Sequence, residues 1–185
     1  MLAIIFWWLD LIIAISMVII TCILFKLQFI DKFTFLLFWI GVGLGFAFET
    51  PLFLISQFSI FPIIIFLSPP PFPIPILIIS HSLWDGGLFL IGVGLVHLFR
   101  KSPHFEGFDG WELLILVAWG QVQAIGIELL GTFGGAWEYV PYWFNPTMFS
   151  ILGRDFTILI QIIWLTITFI FYFLALRLKN KMSES

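Results

Sequence analysis

The sequence predicts an all-α, polytopic membrane helix bundle that forms a single domain over residues 1–185. Hydrophobic residues make up 61% of the chain and charged residues only 10%, against about 25% charged residues in ordinary soluble domains. Several apolar runs approach the roughly 20 residues that a membrane-spanning helix needs. Five such spans are predicted, at about residues 2–25, 33–56, 76–99, 111–130 and 156–176.

The first apolar run is expected to be retained as a span. It lacks the basic start of a cleavable signal peptide, and Asp10 interrupts it. Two interpretations of Asp10 are open. It lies inside a full-length helix, or it caps a shorter helix that begins near residue 10.

The second apolar run combines small residues with an acid and a proline. Gly41 and Gly45 are four positions apart on one helical face, which predicts close approach by a neighbouring helix. Glu49 continues this face. Pro51 removes a backbone hydrogen bond and predicts a kink near Glu49. These residues are expected to form a pocket wall, with a Glu that serves packing alone as the simpler alternative.

Residues 57–75 are too rich in proline for a regular helix. The sequence predicts a re-entrant or interfacial segment here, followed by an extended polyproline turn. A second interfacial segment is expected around residues 137–146, where tryptophan and tyrosine alternate with turn residues. Neither segment is counted as a span, so the prediction remains five helices.

The distribution of basic residues predicts the orientation. With five spans, Arg154 alone falls on one side of the membrane and the other seven basic residues fall on the opposite side. These seven are Lys26, Lys32, Arg100, Lys101, Arg177, Lys179 and Lys181. The positive-inside rule then places the N-terminus outside and the C-terminus in the cytoplasm.

Ionisable residues inside the predicted spans mark a candidate site. His81 and Asp85 are four residues apart and share a helical face. Glu49, Glu128 and Asp10 fall at a similar depth, in the outer half of the membrane. Because such residues are costly in hydrocarbon, a shared and partly hydrated cavity explains them. A hydrogen-bonded packing pair is the simpler alternative for His81 and Asp85.

The predicted catalytic residues are Glu49, His81, Asp85 and Glu128. The predicted substrate contacts are Trp84, Gln121, Trp137, Glu138 and Tyr139. A carboxylic acid kept neutral in an apolar pocket can protonate a double bond or an epoxide, and a second carboxylate or histidine can remove a proton from the resulting cation. Aromatic faces stabilise positive charge. This equipment suits isomerisation, hydration or cyclisation of an isoprenoid or sterol-like lipid in the bilayer.

Other kinds of site fit the sequence less well. His81, Asp85 and two glutamates could hold iron or zinc, but His81 is the only histidine deep in a span, so neither a metal nor another cofactor is expected. The single cysteine, Cys22, excludes an internal disulfide. A net charge of −3 without a basic patch argues against nucleic acid.

Two short motifs resemble known families. Glu128-Leu-Leu-Gly131, with Gly135, Trp137, Tyr139 and a following span, resembles small membrane carotenoid-biosynthesis proteins of the hydratase and cyclase-like group, although the tandem acidic pair of lycopene cyclases is absent. His81-x-x-x-Asp85-Gly86 is similar to the emopamil-binding sterol isomerase group, in which Glu precedes the glycine. Each resemblance implies acid–base work on a polyisoprenoid or sterol-like lipid.

Two further classes of protein remain open. Intramembrane acids and histidines also occur in proton relays, so a small proton-coupled transporter is one alternative. The chain has few helices and no inverted repeat. Alternating access by such a chain would therefore require oligomerisation. The other alternative is a non-catalytic subunit of a larger membrane complex. Under either alternative, the chain would form a homo-oligomer or a hetero-oligomer.

Overall fold

Five long helices dominate the computed structural model, which describes residues 2–184. Each of the five is long and apolar enough to cross a membrane. Their bounds are α1 Leu2–Lys26, α2 Lys32–Phe58, α3 Ile74–Phe99, α4 Gly110–Phe133 and α5 Ile158–Ser183. The predicted all-α bundle of a multi-pass membrane protein is confirmed. The interpretation of Asp10 as a cap is wrong, because α1 begins before it.

Two small antiparallel sheets, which the sequence analysis did not predict, lie between the helices. Their strands are β1 Ile64–Phe66, β2 Trp137–Tyr139, β3 Thr147–Ile151 and β4 Arg154–Thr157. β1 pairs with β2, and β3 pairs with β4. The proline-rich segment was predicted over residues 57–75; it is free of helix over residues 59–73, its two ends belong to α2 and α3, and it contributes strand β1. The fifth span begins two residues later than predicted, because residues 156 and 157 belong to β4.

The two ends of the bundle differ in charge. One end, called the basic end below, carries the loops at residues 27–31 and 100–109 and the C-terminal turns of α5. Contacts join these parts: the Asp109 amide donates a 2.7 Å hydrogen bond to the Tyr172 hydroxyl of α5, and the Lys179 Nζ lies 5.0 Å from the Phe33 ring centroid. The opposite end, the sheet end, carries the strands and Arg154. The seven basic residues that were predicted to share one side therefore lie at the basic end, and Arg154 lies at the sheet end.

Helix α3 is the centre of the bundle and packs against α1, α2 and α4. Its crossing with α2 depends on glycines. A Cβ atom added at Gly41 would lie 3.0 Å from the Gly86 Cα, and one added at Gly86 would lie 2.9 Å from the Phe38 carbonyl oxygen. Small residues permit such close packing in membranes, where hydrophobic burial does not drive helices together. The predicted close approach at Gly41 and Gly45 is confirmed.

Candidate active site

The imidazole of His81 lies between carboxylates from two other helices. Its Nε2 atom is 3.6 Å from Asp10 Oδ2 of α1, and its Nδ1 atom is 3.7 Å from Glu49 Oε2 of α2. Both distances exceed the usual hydrogen-bond range, so the contacts are electrostatic in this arrangement. The ring is thus available to form a tighter bond when a reacting group approaches, as catalytic groups often do.

Asp10 is held in place by α3. The Ser80 hydroxyl donates a 2.6 Å hydrogen bond to Asp10 Oδ2, and the Trp84 indole N–H donates to the Asp10 carbonyl oxygen at 3.1 Å. The side chain is 8% exposed. These bonds fix the carboxylate beside His81. Asp10 therefore belongs to the same cluster, although it was not among the catalytic residues predicted from the sequence.

Asp85 completes this cluster from the next turn of α3. It packs against Gly45, where an added Cβ would lie 2.5 Å from Asp85 Oδ2. That oxygen is buried and has no hydrogen-bond partner among residues 2–184. A buried polar atom without a partner is costly. Asp85 thus has an oxygen that can still accept a proton or a hydrogen bond.

Glu128 reaches the site from α4. The Gln161 side-chain amide of α5 donates to Glu128 Oε1 at 3.1 Å, whereas Oε2 meets no partner in the described part of the chain. The residue is only 1% exposed. Glu128 is therefore a second buried acid, held independently of the His81 cluster.

One cavity of about 90 Å³ collects these groups. Its walls include all four predicted catalytic residues and Asp10. Three of the predicted substrate contacts, Trp84, Trp137 and Tyr139, also line it. At roughly 10–15 Å³ for each water, the cavity has room for a few waters or for a short segment of a lipid. The structure thus brings together the acids whose positions along the predicted spans had placed them at one depth.

Aromatic rings cover much of the cavity wall. The ring centroid of Trp137 lies 5.8 Å from that of His81, and the Phe53 ring contacts His81 edge-on at 5.2 Å. Trp164 also lines the cavity. Trp137 packs directly on Gly131, where a side chain would occupy the same space. Aromatic faces of this kind attract positive charge.

The β1–β2 sheet closes the sheet end of the cavity. Ile64 and Tyr139 face each other in the register, and both contribute to the wall. Burial raises the pKa of Tyr139 well above its usual value, and the nearby carboxyls of Glu128 and Glu49 add to this effect. The phenol therefore stays protonated and can donate a hydrogen bond toward the carboxyls.

Two predicted substrate contacts lie outside the cavity wall. The Gln121 side chain donates to the Gln161 carbonyl oxygen at 3.2 Å. Glu138 pairs with Arg154. Alternation along strand β2 explains the second case, because neighbouring residues of a strand point to opposite faces. Trp137 and Tyr139 are buried, and Glu138 between them is less so.

The cavity wall includes an exposed residue at the sheet end of α4. Phe6 of α1 and Ile127 and Leu130 of α4 line it, and Leu130 is 67% exposed. Each of the two helices packs against α3.

The acids are not arranged as a metal site. Within residues 2–184, no three His, Cys, Asp or Glu side chains converge closely enough to hold a metal ion. Glu128 is bonded to Gln161, and the two nitrogens of His81 are directed at separate carboxylates. The geometry suits proton transfer between side chains and a bound molecule.

Comparison with known proteins adds no family. No protein-family model matches the chain, and no curated protein or solved structure matches it. The resemblances to carotenoid-biosynthesis proteins and to sterol isomerases stay predictions.

Proposed function

We propose that this chain is an integral membrane enzyme that performs acid–base chemistry on an isoprenoid or sterol-like lipid. The reaction is an isomerisation, a hydration or a cyclisation. The observation that supports this proposal is a single cavity that combines two separately held acid groups with aromatic walls. Glu128 is one acid group, and the cluster of His81, Glu49 and Asp85 is the other.

For an isomerisation, the proposed proton donor is Glu128 in its protonated form. The π electrons of the substrate double bond take this proton, so a C–H bond forms at one carbon and a cation develops at the other. The indole faces of Trp137 and Trp164 stabilise the cation. Glu49, assisted by His81, then removes a proton from the adjacent carbon, and the electrons of the broken C–H bond form the shifted double bond.

The same cation leads to the other two products. In a hydration, water adds to the cation and loses a proton to the His81 cluster. In a cyclisation, a second double bond of the same substrate adds to it before a proton is lost. The small cavity takes only the reacting end of the lipid, and the rest of the lipid extends into the bilayer between α1 and α4.

The orientation is part of the proposal. The basic end faces the cytoplasm and the sheet end faces outside, since seven of eight basic residues lie at the basic end. The site then lies in the outer leaflet. Fusion of a reporter that is active only in the cytoplasm to the C-terminus tests this orientation, and a silent reporter would contradict it.

The chemistry is tested with purified protein in bilayers. Lipids that co-purify are identified first, and labelled isoprenoids and sterols of the same class are then assayed for product. We expect Glu49→Gln, Asp85→Asn and Glu128→Gln each to lower turnover by about 100-fold or more. Glu106→Gln, which alters an exposed loop residue, is the control. Size-exclusion profiles verify that all variants assemble.

Two outcomes would contradict the proposed enzyme. Retained turnover in all three cavity variants would show that the carboxyls do no chemistry. Absence of any product, together with proton flux into liposomes or with a stoichiometric partner chain, would favour the transporter or the complex subunit.

A further inference from the structure

A second cavity, lined by different residues of α1 and α3 than the candidate active site, opens toward the basic end. It is a groove of about 660 Å³ between α1, α3 and the start of α2. This volume lies within the roughly 300–1,000 Å³ of small-molecule sites. The body of the groove is apolar and includes Leu24 and Leu90. Met17 closes the deep end, where its sulfur packs against Gly87.

The length of the groove matches one leaflet. Its α3 wall runs from Gly87 to His97, eleven residues whose ten steps span about 15 Å at 1.5 Å per residue. The hydrocarbon core of a bilayer is about 30 Å thick, so a leaflet contributes about half of that. The apolar body thus lies at the depth of acyl chains, and the polar mouth lies at the level of headgroups.

The mouth of the groove offers an acceptor for a cation. Asp31 lines it together with Thr34 and His97. Asp31 Oδ1 accepts a 2.8 Å hydrogen bond from the Thr34 amide, which leaves Oδ2 for another donor. Burial alone would raise the pKa of Asp31, but the Thr34 hydrogen bonds and the charge of Lys179 lower it overall. The carboxylate is therefore ionised at neutral pH.

Two lysines flank the same loop. Lys26 ends α1 and Lys32 begins α2, and both are exposed. Together with Asp31 they place a negative charge beside positive ones at headgroup level. A headgroup that carries both an ammonium and a phosphate complements this pattern. The Asp31 carboxylate would repel a purely anionic headgroup. A quaternary ammonium headgroup has no N–H that could donate a hydrogen bond to Asp31.

We propose that this groove binds phosphatidylethanolamine, with one acyl chain between α1 and α3 and the headgroup ammonium paired with Asp31. The phosphate lies near Lys26 and Lys32. Gly94 of α3 lines the groove, and a Cβ atom added there would meet open space. That open space is where the acyl chain packs. The proposal is independent of the chemistry proposed for the other cavity.

The test uses the full chain in detergent, incubated with phosphatidylethanolamine, phosphatidylcholine or phosphatidylglycerol and studied by native mass spectrometry. We expect one tightly held phosphatidylethanolamine. Gly94→Leu fills the groove and removes this bound lipid. Gly43→Leu is the matched control, because Gly43 is also an exposed helical glycine with open space at its Cβ, yet lies outside the groove. Asp31→Asn reduces the preference for phosphatidylethanolamine over phosphatidylcholine about fivefold.

Several results would overturn the proposal. One is equal lipid retention in the Gly94→Leu and Gly43→Leu variants. Another is an unchanged headgroup preference in Asp31→Asn. A second copy of the chain in the groove would also overturn it. Ile91→Cys in a Cys22→Ser background detects that copy, since Ile91 lines the groove and would then cross-link between chains.

Discussion

The side-chain amide of Gln161 on α5 donates a 3.1 Å hydrogen bond to Glu128 Oε1 on α4. Both residues are at most 6% exposed, so this bond joins two helices where water does not compete. It determines where the α4 carboxyl points in the cavity. The reactivity proposed for Glu128 therefore depends on a residue that need not touch the substrate.

Replacing Gln161 by Leu tests this dependence. The variant keeps a side chain of similar size but leaves Glu128 without its donor. We expect kcat of the lipid reaction to fall about tenfold or more, as the loss of a hydrogen bond to a charged or strongly polar group predicts, with a smaller change in KM. Steady-state kinetics provide the measurement. Gln121→Leu, whose amide bonds only a backbone carbonyl, is the control, and equal losses in both variants would argue against a positioning role.

The α2–α3 crossing predicts different effects at two glycines. In Gly45→Ala the new Cβ would lie 2.5 Å from Asp85 Oδ2 and 2.9 Å from the Ser82 Cα, so the helices must separate. We expect a loss of about 1–3 kcal/mol in the free energy of unfolding. Gly43→Ala meets open space and should be neutral or stabilising by up to about 1 kcal/mol. Thermal unfolding in detergent checks this, and identical melting temperatures would refute the packing argument.

Asp10 is predicted to position His81. Asp10→Asn keeps an acceptor for the Ser80 hydroxyl but removes the charge 3.6 Å from the imidazole. We expect kcat to fall about tenfold while KM changes little, because a misplaced catalytic group lowers the rate of the chemical step more than it weakens binding. Ser80→Ala should have a smaller effect in the same assay. Wild-type kcat in Asp10→Asn would exclude the role.

The ion pair between Arg100 and Asp109 at the basic end predicts that stability depends on pH. The Arg100 guanidinium bonds Asp109 Oδ2 at 2.6 Å and lowers the pKa of Asp109 below its usual value of 3.8, with the Trp111 amide contributing. A lowered folded-state pKa stabilises the fold above pH 3.8, and the stabilisation is lost as the pH falls through the folded-state pKa. Arg100→Gln should therefore unfold earlier than wild type at pH 7.

The comparison needs a pH series and a control. The difference in unfolding temperature between wild type and Arg100→Gln should disappear in strong acid, once Asp109 is protonated in both. Lys101→Gln changes an adjacent exposed cation and should leave the profile of wild type intact. A constant difference at every pH would mean that Arg100 stabilises the loop without Asp109.

The helices were predictable because their signals are local. Apolar runs of membrane length and the four-residue spacing of Gly41 and Gly45 lie within single segments, so periodicity reveals them. Sheet pairing is different. Ile64 faces Tyr139 through an antiparallel register that no local pattern contains, and the two strands have only three residues each.

The depth of the candidate-site residues along their helices was predictable, but the direction in which each side chain points was only partly predictable. Glu49, His81 and Glu128 reach one cavity because their positions along the helices place them in one layer. Gln121 was expected to contact the substrate, but its position along α4 does not determine which neighbouring group its side chain bonds. The Gln121 amide turns to the α5 backbone instead. Glu138 was misplaced because its segment was not recognised as a strand.

The pairing of β1 with β2 has a consequence for biosynthesis. Strand β1 leaves the ribosome about 70 residues before strand β2, which at roughly 5–20 residues per second is a delay of about 4–14 s. Through that interval Ile64 has no strand partner, and the wall formed by Trp137 and Tyr139 does not yet exist. The acid cluster on the first three helices is therefore synthesised before the strand that covers it. The wall of its cavity is completed late, when the segment after α4 pairs with β1.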